Sequence, residues 1–254
     1  MTPIGTSICR VTTDAIYVRE HDLVNELIGR IGFVDMMLLN LLGRRATHQE
    51  SAVVEAVMVT LMEHGLTPSA IAARLVYSSA PEALQGAIAA GILAAGSNML
   101  GTLENAAVLL EELVTAPEGV EAAARRVATQ CRSRGDRVPG FGHMDHRPDD
   151  PRPFRHFEIA RELELPGRYV AALQTLARAV DESYGRHITI NATASMAALL
   201  CEVGLPKEIF RGLAVVTRAA GLLAHIREEQ AGTSLIPLMR SAEVALPYRP
   251  LSDS

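Results

Sequence analysis

The sequence predicts an all-α protein. Three observations carry that expectation. Apolar residues recur at helical spacing through successive segments, most of them opened or closed by a recognisable capping residue. Strand-like alternation is scarce: Ile188-Thr189-Ile190 alternates but is only three residues long. The longest irregular stretch, Arg137–Arg152 (RVPGFGHMDHRPDDPR), reads as a loop, because Pro139, Gly140, Gly142, Pro148 and Pro151 leave no amphipathic helix through it. Loops of that length between helices are often functional.

In chain order, residues 1–20 read as an extended arm with a short strand at Ala15–Val18. An apolar periodic segment from Leu23 to Leu42 is divided by Gly29 and Gly32 and closed by Gly43 in a C-cap position. Thr47-His48-Gln49-Glu50 forms a capping box, and its helix carries Val53, Val54, Val57, Leu61 and Met62 as far as Gly65. Thr67-Pro68 opens the next, with Pro at the first helical position, and Ser78-Ser79 breaks it. Ala80-Pro81-Glu82 opens a helix so rich in Ala and Gly, up to Gly96, that it is placed at the centre of the bundle. Ser97–Gly101 reads as a polar turn, Thr102 caps a helix through Leu113, and Pro117 opens one to about Arg134 with a basic outer face. After the loop, helices are expected at 153–163, 167–184, 192–201 and 206–227. The proline-bearing tail from Gly232 is expected to be partly disordered.

At 254 residues the chain can bury a substantial core, and 48% hydrophobic against 21% charged residues argues against disorder. A net charge of −5 argues against a general nucleic-acid binder. No signal-peptide pattern or long uninterrupted apolar run is seen, so no membrane span and a cytoplasmic location are expected. Cys9, Cys131 and Cys201 match neither a disulfide framework nor a metal spacing.

Within the loop, Gly140-Phe141-Gly142 permits a tight turn and close approach to a ligand. His143 beside it is suited to donating a hydrogen bond to a carbonyl or moving a proton, or to satisfying local backbone groups. Arg152 offers a fork for a carboxylate, unless Asp149 or Asp150 holds it as a local salt bridge. Arg147 and Arg155 are less committed. His146, His156, Asp145 and Asp149 fit no standard zinc spacing, so no metal is expected. Arg218 interrupts an apolar helix and needs a partner, either a protein carboxylate or a substrate carboxylate. His225 on the same helix reads as a buried, hydrogen-bonded histidine, and His64 as a helix cap or a pocket residue. No G-x-S-x-G, P-loop or dinucleotide-binding motif occurs, so covalent catalysis is not indicated.

Five segments together resemble the citrate synthase superfamily: LVNELIGRIGFVDMMLLNLLGRRAT, LMEHGLTPSAIAARLVYSSAPEALQGAIAAGILAAG, PGFGHMDHRPDDPR, INATASMAALLCEVGLP and TRAAGLLAHIREEQ. They follow the family's order and cover most of the chain. The nearest form is the short citryl-CoA lyase type, which also resembles the C-terminal module of ATP-citrate lyase. The resemblance implies a citrate-synthase-like helical fold: a large domain from 1–99 and 196–254, and a small domain, 100–195, carrying the PGFGH loop. It implies a carbon–carbon lyase that splits citryl-CoA, or a related 3-hydroxy-3-carboxyacyl-CoA, into an acyl-CoA and a keto acid such as oxaloacetate. A condensing acyltransferase and a non-catalytic acyl-CoA or dicarboxylate-binding member are the alternatives.

By match to the motifs, His143 would polarise the keto-acid carbonyl, and Arg152 and Arg218 would clamp carboxylates. His64 would line the same pocket, and Pro139, Gly140, Phe141 and Gly142 would lie along the CoA thioester arm. Coenzyme A would enter as part of the substrate, with no permanent cofactor, and the assembly would be a homodimer or homotetramer. Two departures stand out. GSNMLGTLENA lacks the histidine that condensing members aim at the enolate oxygen, leaving Ser97 or Asn98 as weaker donors; the ATP-citrate lyase module lacks it too. The family's catalytic aspartate position falls on Thr193, in Asn191-Ala192-Thr193, where no carboxylate is present. Asp145, Asp149 and Asp150 are the candidate replacements.

Overall fold

The computed structural model describes residues 5–96 and 102–249. The expected turn at 97–101, with Ser97 and Asn98, lies outside the described residues. By internal contacts the chain forms two compact units: Met1–Met58 with Leu103–Phe210, and Val59–Thr102 with Arg211–Ser254. In this division the first part of the chain groups with the loop-bearing middle. One tie within that unit is visible: Gln49 Nε2 donates to the Leu163 carbonyl at 2.8 Å.

The first unit opens on a three-stranded antiparallel sheet, β1 (Cys9–Val11), β2 (Ile16–Val18) and β3 (His21–Asp22). One short strand was expected from the sequence. The β2–β3 turn is made by Arg19 and Glu20, both at positive φ (46° and 69°), where Asn-Gly would be usual. Arg19 is held in place by its guanidinium, whose Nε and Nη2 donate to the Asn40 carbonyl at 3.1 and 2.7 Å. A single π-helical turn, Leu23–Leu27, capped by Asp22, leads to α1 (Phe33–Leu42), which ends on left-handed Gly43 as expected. Val18, Leu27 and Leu39 form a small core there.

α2 (His48–Met62) starts on the anticipated capping box. Glu50 N–H donates to Thr47 Oγ1 at 3.1 Å, and Thr47 N–H donates to Glu50 Oε2 at 2.7 Å. α5 (Thr102–Thr115), α6 (Val120–Arg134), α7 (Pro151–Glu162), α8 (Arg168–Tyr184) and α9 (Ala192–Glu202) complete this unit's helices. α9 is its axis: α7 and α8 both pack on it, and every residue in it except Thr193 is buried. Its last residue, Glu202, accepts from the N–H groups of Gly167, Tyr169 and Val170 at 2.7–3.0 Å. It thereby caps α8, whose own N-cap, Gly167, has no side chain to do so.

The second unit holds α3 (Pro68–Ser79), α4 (Leu84–Leu93), most of α10 (Phe210–Ala231) and α11 (Leu235–Ala245). α4 does not occupy the centre of the bundle: only Ala87 and Gly91 on it are buried, and Leu93 is 83% exposed. Its small residues serve one seam. A Cβ at Gly91 would meet Leu222 Cδ1 at 2.5 Å and the Ser69 carbonyl at 2.9 Å. The tail is also more ordered than expected, since α11 forms there. Pro237 falls in its first turn, where no helical N–H bond is lost, and Glu229 accepts from the Ser234 N–H at 2.8 Å. Lys207–Ala231 is long and apolar enough to cross a membrane by length and composition. Half of its most apolar window is buried inside the protein, and buried Arg218, His225 and Glu229 lie along it, the pattern of a core helix.

Candidate active site

The PGFGH loop is stitched to the segment that precedes α9. Phe141 and Ile190 form an antiparallel bridge, the structural outcome of the brief alternation at 188–190. Gly142 N–H donates to the Thr189 carbonyl at 2.8 Å, and Asn191 N–H donates to the Gly140 carbonyl at 2.9 Å. The Asn191 side chain caps α9 through the N–H groups of Thr193 and Ala194 and donates from Nδ2 to the Gly142 carbonyl at 3.1 Å. Gly140 has φ +86°, and a Cβ there would run into the Cβ of Ala194. Gly140→Ala therefore combines backbone strain with a clash, and thermal denaturation should show a loss of about 1–3 kcal/mol.

Asp150 is the anchor of the site. It is 1% exposed and is the N-cap of α7, accepting from Arg152 N–H at 3.0 Å. The Arg152 guanidinium donates from Nε to Oδ1 at 2.9 Å and from Nη2 to Oδ2 at 2.7 Å. Ala192 N–H, at the start of α9, donates to Oδ2 at 3.1 Å. Burial works against the charge, but the hydrogen bonds and charge of Arg152, with the Ala192 N–H, outweigh it and hold this carboxyl below its usual range.

Arg152 in turn meets His143, with Nη2 lying 3.2 Å from Nε2. On the other side of the ring, Asp145 N–H and His146 N–H donate to Nδ1 at 3.1 and 3.2 Å. A guanidinium has no acceptor, and a neutral imidazole has one acceptor nitrogen. With the ring proton on Nε2, two donors face each other; with it on Nδ1, the loop N–H groups lose their acceptor. An oxygen lodged against Nε2 and Nη2 resolves this conflict by accepting from both. The geometry therefore favours an oxygen-bearing ligand at this point.

Two further histidines brace the site. His156 is buried and bonds to Ser195 Oγ at 2.7 Å; burial, then the nearby Arg152 charge, pushes its pKa down to about 4. His187 bridges Asp181 (2.7 Å) and Asp149 (2.9 Å), and those two hydrogen bonds, Asp181 first, raise its pKa above 6.5. His187 thus contributes stability that is fully present below pH 6.5 and lost as pH rises through its raised pKa. NMR titration should show His187 with a midpoint above 6.5 and His156 still neutral until about pH 4.

The first unit therefore brings together His143, Arg152, Thr193 and the Pro139–Gly142 backbone of the sequence-derived set. His64 and Arg218 belong to the second unit. There, His64 is exposed just past the end of α2, and Arg218 is 7% exposed, with Nη1 3.5 Å from the Met62 carbonyl. Burial lowers the Arg218 pKa, opposed by the charge of Glu63. Among the described residues no carboxylate oxygen lies within 4.0 Å of Arg218, so it has no direct protein counter-ion.

Two candidate proton carriers are already engaged, Asp149 with His187 and Asp150 with Arg152. Of the two readings the sequence left open for Arg152, the structure shows the local salt bridge, made to Asp150, and its Nη2 also lies 3.2 Å from His143 Nε2. The sequence reading missed Asn191, Thr189, Ser195 and His187 as supports. Of these, only Asn191 had a legible signal, as a capping residue directly before a helix.

A family model described as the C-terminal domain of citrate synthase matches residues 10–241. The solved citryl-CoA lyase of Hydrogenobacter thermophilus is 30% identical, with a TM-score of 0.85, covering 99% of this chain and 96% of that one. The ATP citrate lyase of Methanothrix soehngenii, solved with citrate and coenzyme A, has a TM-score of 0.81 at 18% identity, covering 100% of this chain and 42% of that one; at that identity the likeness is of fold. A citrate synthase of Synechocystis is 26% identical over 171 residues, 66% of this chain and 42% of that protein. The chain spans about half the length of the curated relatives it matches.

Proposed function

The chain belongs to the citrate synthase family, and from that premise we propose that it is a carbon–carbon lyase of the citryl-CoA type. The observation that carries the reading is the His143–Arg152 pair, two nitrogen groups 3.2 Å apart and anchored by buried Asp150. The likeness to a citryl-CoA lyase, at 30% identity and a TM-score of 0.85, supports the lyase over a condensing enzyme.

In the cleavage direction the tertiary hydroxyl loses its proton as the bond to the thioester-bearing carbon breaks. The bonding pair passes to the thioester as an enolate, and the hydroxyl carbon becomes the keto carbonyl. In this reading the ring takes up the other tautomer when the substrate binds: with its own proton on Nδ1, let go by the Asp145 and His146 N–H groups, His143 accepts the hydroxyl proton at Nε2. Asp145 Oδ2, 4.0 Å from Nδ1, offsets the charge of the imidazolium so formed. Arg152 holds the adjacent carboxylate in place of, or alongside, Asp150. His64 and Arg218, in the second unit, serve carboxylate binding, and a buried arginine with no carboxylate among the described residues within 4.0 Å suits that role. The Pro139–Gly142 backbone lies along the thioester arm. The enolate then takes up a proton to become the acyl-CoA. That step has no carboxylic acid at Thr193 to assist it, and Asp150 is held in its ionised form.

Coenzyme A enters as part of the substrate, with no permanent cofactor or metal. A cytoplasmic location and a homodimer or homotetramer complete the reading. Mass analysis of products tests the assignment. Citryl-CoA should yield oxaloacetate and acetyl-CoA, whereas release of free CoA and citrate from acetyl-CoA plus oxaloacetate would replace the lyase by a condensing enzyme.

A further inference from the structure

We infer that Glu63, His225 and Arg74 form a positioning relay that fixes His64 and sets the electrostatic surroundings of Arg218, and so governs affinity for the carboxylate end of the substrate. The inference rests on the carboxylate-binding roles proposed above for His64 and Arg218.

The relay begins where α2 ends. Glu63 Oε1 accepts from the N–H groups of His64 and Gly65 at 2.9 and 2.7 Å, so the carboxylate holds the backbone that carries His64. Glu63 Oε2 lies 2.9 Å from His225 Nε2. Arg74 Nε donates to His225 Nδ1 at 2.9 Å. An arginine can only donate, so Nδ1 must carry the lone pair, and the ring proton sits on Nε2, close to Glu63 but out of line for a regular hydrogen bond. Arg74 is fixed behind by Glu229 (2.7 Å) and by Glu228, and Glu229 by Ser78 at 2.7 Å and by Ser234.

The chain of contacts thus runs from α11 and α3 through α10 to His64, and Arg74, His225 and Glu229 are all buried. Buried polar groups held this closely favour one geometry, because each member lost leaves another unpaired. α10 has no room to shift: a Cβ at Gly221 would strike the Met62 carbonyl. Arg218 lies one turn earlier on α10, and Glu63 is the carboxylate whose charge supports its protonated state. None of these three residues is needed for proton transfer in the proposed reaction, so their effect should fall on binding.

Steady-state cleavage of citryl-CoA by the full chain tests this with paired variants. His225→Leu keeps the burial and removes both polar contacts. His225→Gln restores an acceptor for Arg74 and a donor for Glu63. Glu63→Ala, at a side chain 46% exposed, removes the front of the relay without opening the core. His225→Leu and Glu63→Ala should raise KM about tenfold or more with kcat within about threefold, and His225→Gln should return KM to within about threefold of the parent. Unchanged KM in both Leu and Ala variants, or a fall in Tm with KM unmoved, would overturn the relay. If the parent chain cleaves no citryl-CoA, the lyase reading fails, and the same variants are read by calorimetric binding of citrate. Weakened citrate binding then still supports the relay; equal binding, or none by the parent, overturns it.

Discussion

His143→Ala should lower citryl-CoA cleavage by about a hundred- to ten-thousand-fold, the range typical for loss of a general acid–base group. The effect should fall on kcat, because the ring is assigned to the hydroxyl proton. Thr193→Ala should reduce turnover much less. Thr193, which the sequence resemblance places at the family's aspartate position, is the second residue of α9, and its N–H is already capped by Asn191 at 3.0 Å. The hydroxyl cannot act as a carboxylate base. Equal losses in the two variants, measured as kcat by oxaloacetate formation, would give Thr193 a direct role in the chemistry that the proposed mechanism does not contain.

Asp150→Ala should be the most damaging change to stability. It removes the N-cap of α7, the counter-ion of Arg152 and the acceptor for Ala192 N–H in one step. Breaking a buried pair by deleting one partner costs about 3–5 kcal/mol. Arg152 keeps some access to water, so about 3 kcal/mol is expected, or roughly 6–12 °C in Tm for a chain of this size. Asp150→Asn retains the cap and should lose less stability. It should still impair catalysis, because Arg152 then lacks the charge that orients it toward His143. Chemical denaturation with both variants separates the two contributions.

Much of the helical scaffold was legible because its signals are local. Thr47-x-x-Glu50, Thr67-Pro68 and Gly43 each act within a few residues, and each stands where the sequence placed it. The β2–β3 turn was not legible. Arg19 and Glu20 carry none of the usual turn chemistry, and their conformation depends on the Asn40 carbonyl, twenty-one positions away. The tail misled for a similar reason: Pro237 reads as a breaker unless the helix start is known, and that start is set with help from Glu229. The Ala- and Gly-rich α4 was overrated because small residues permit close approach without enclosing the helix.

At the site, composition and spacing exposed His143 and Arg152 but not their supports. Asp150 could be paired with Arg152 from sequence, yet its third partner, the N–H of Ala192, lies far along the chain. Glu63 was hidden in the same way, and His225 was legible as a buried histidine but not by its partners. Glu63 follows the end of α2 and His225 lies on α10, and their meaning lies in a contact that joins distant segments.

The most direct measurement of the central claim is cleavage of citryl-CoA by the purified chain in heavy water, followed by mass analysis of both products. The account expects oxaloacetate together with acetyl-CoA carrying a single solvent deuterium in its methyl group, from protonation of the enolate. Unchanged citryl-CoA, or citrate and free CoA from simple thioester hydrolysis, would contradict it.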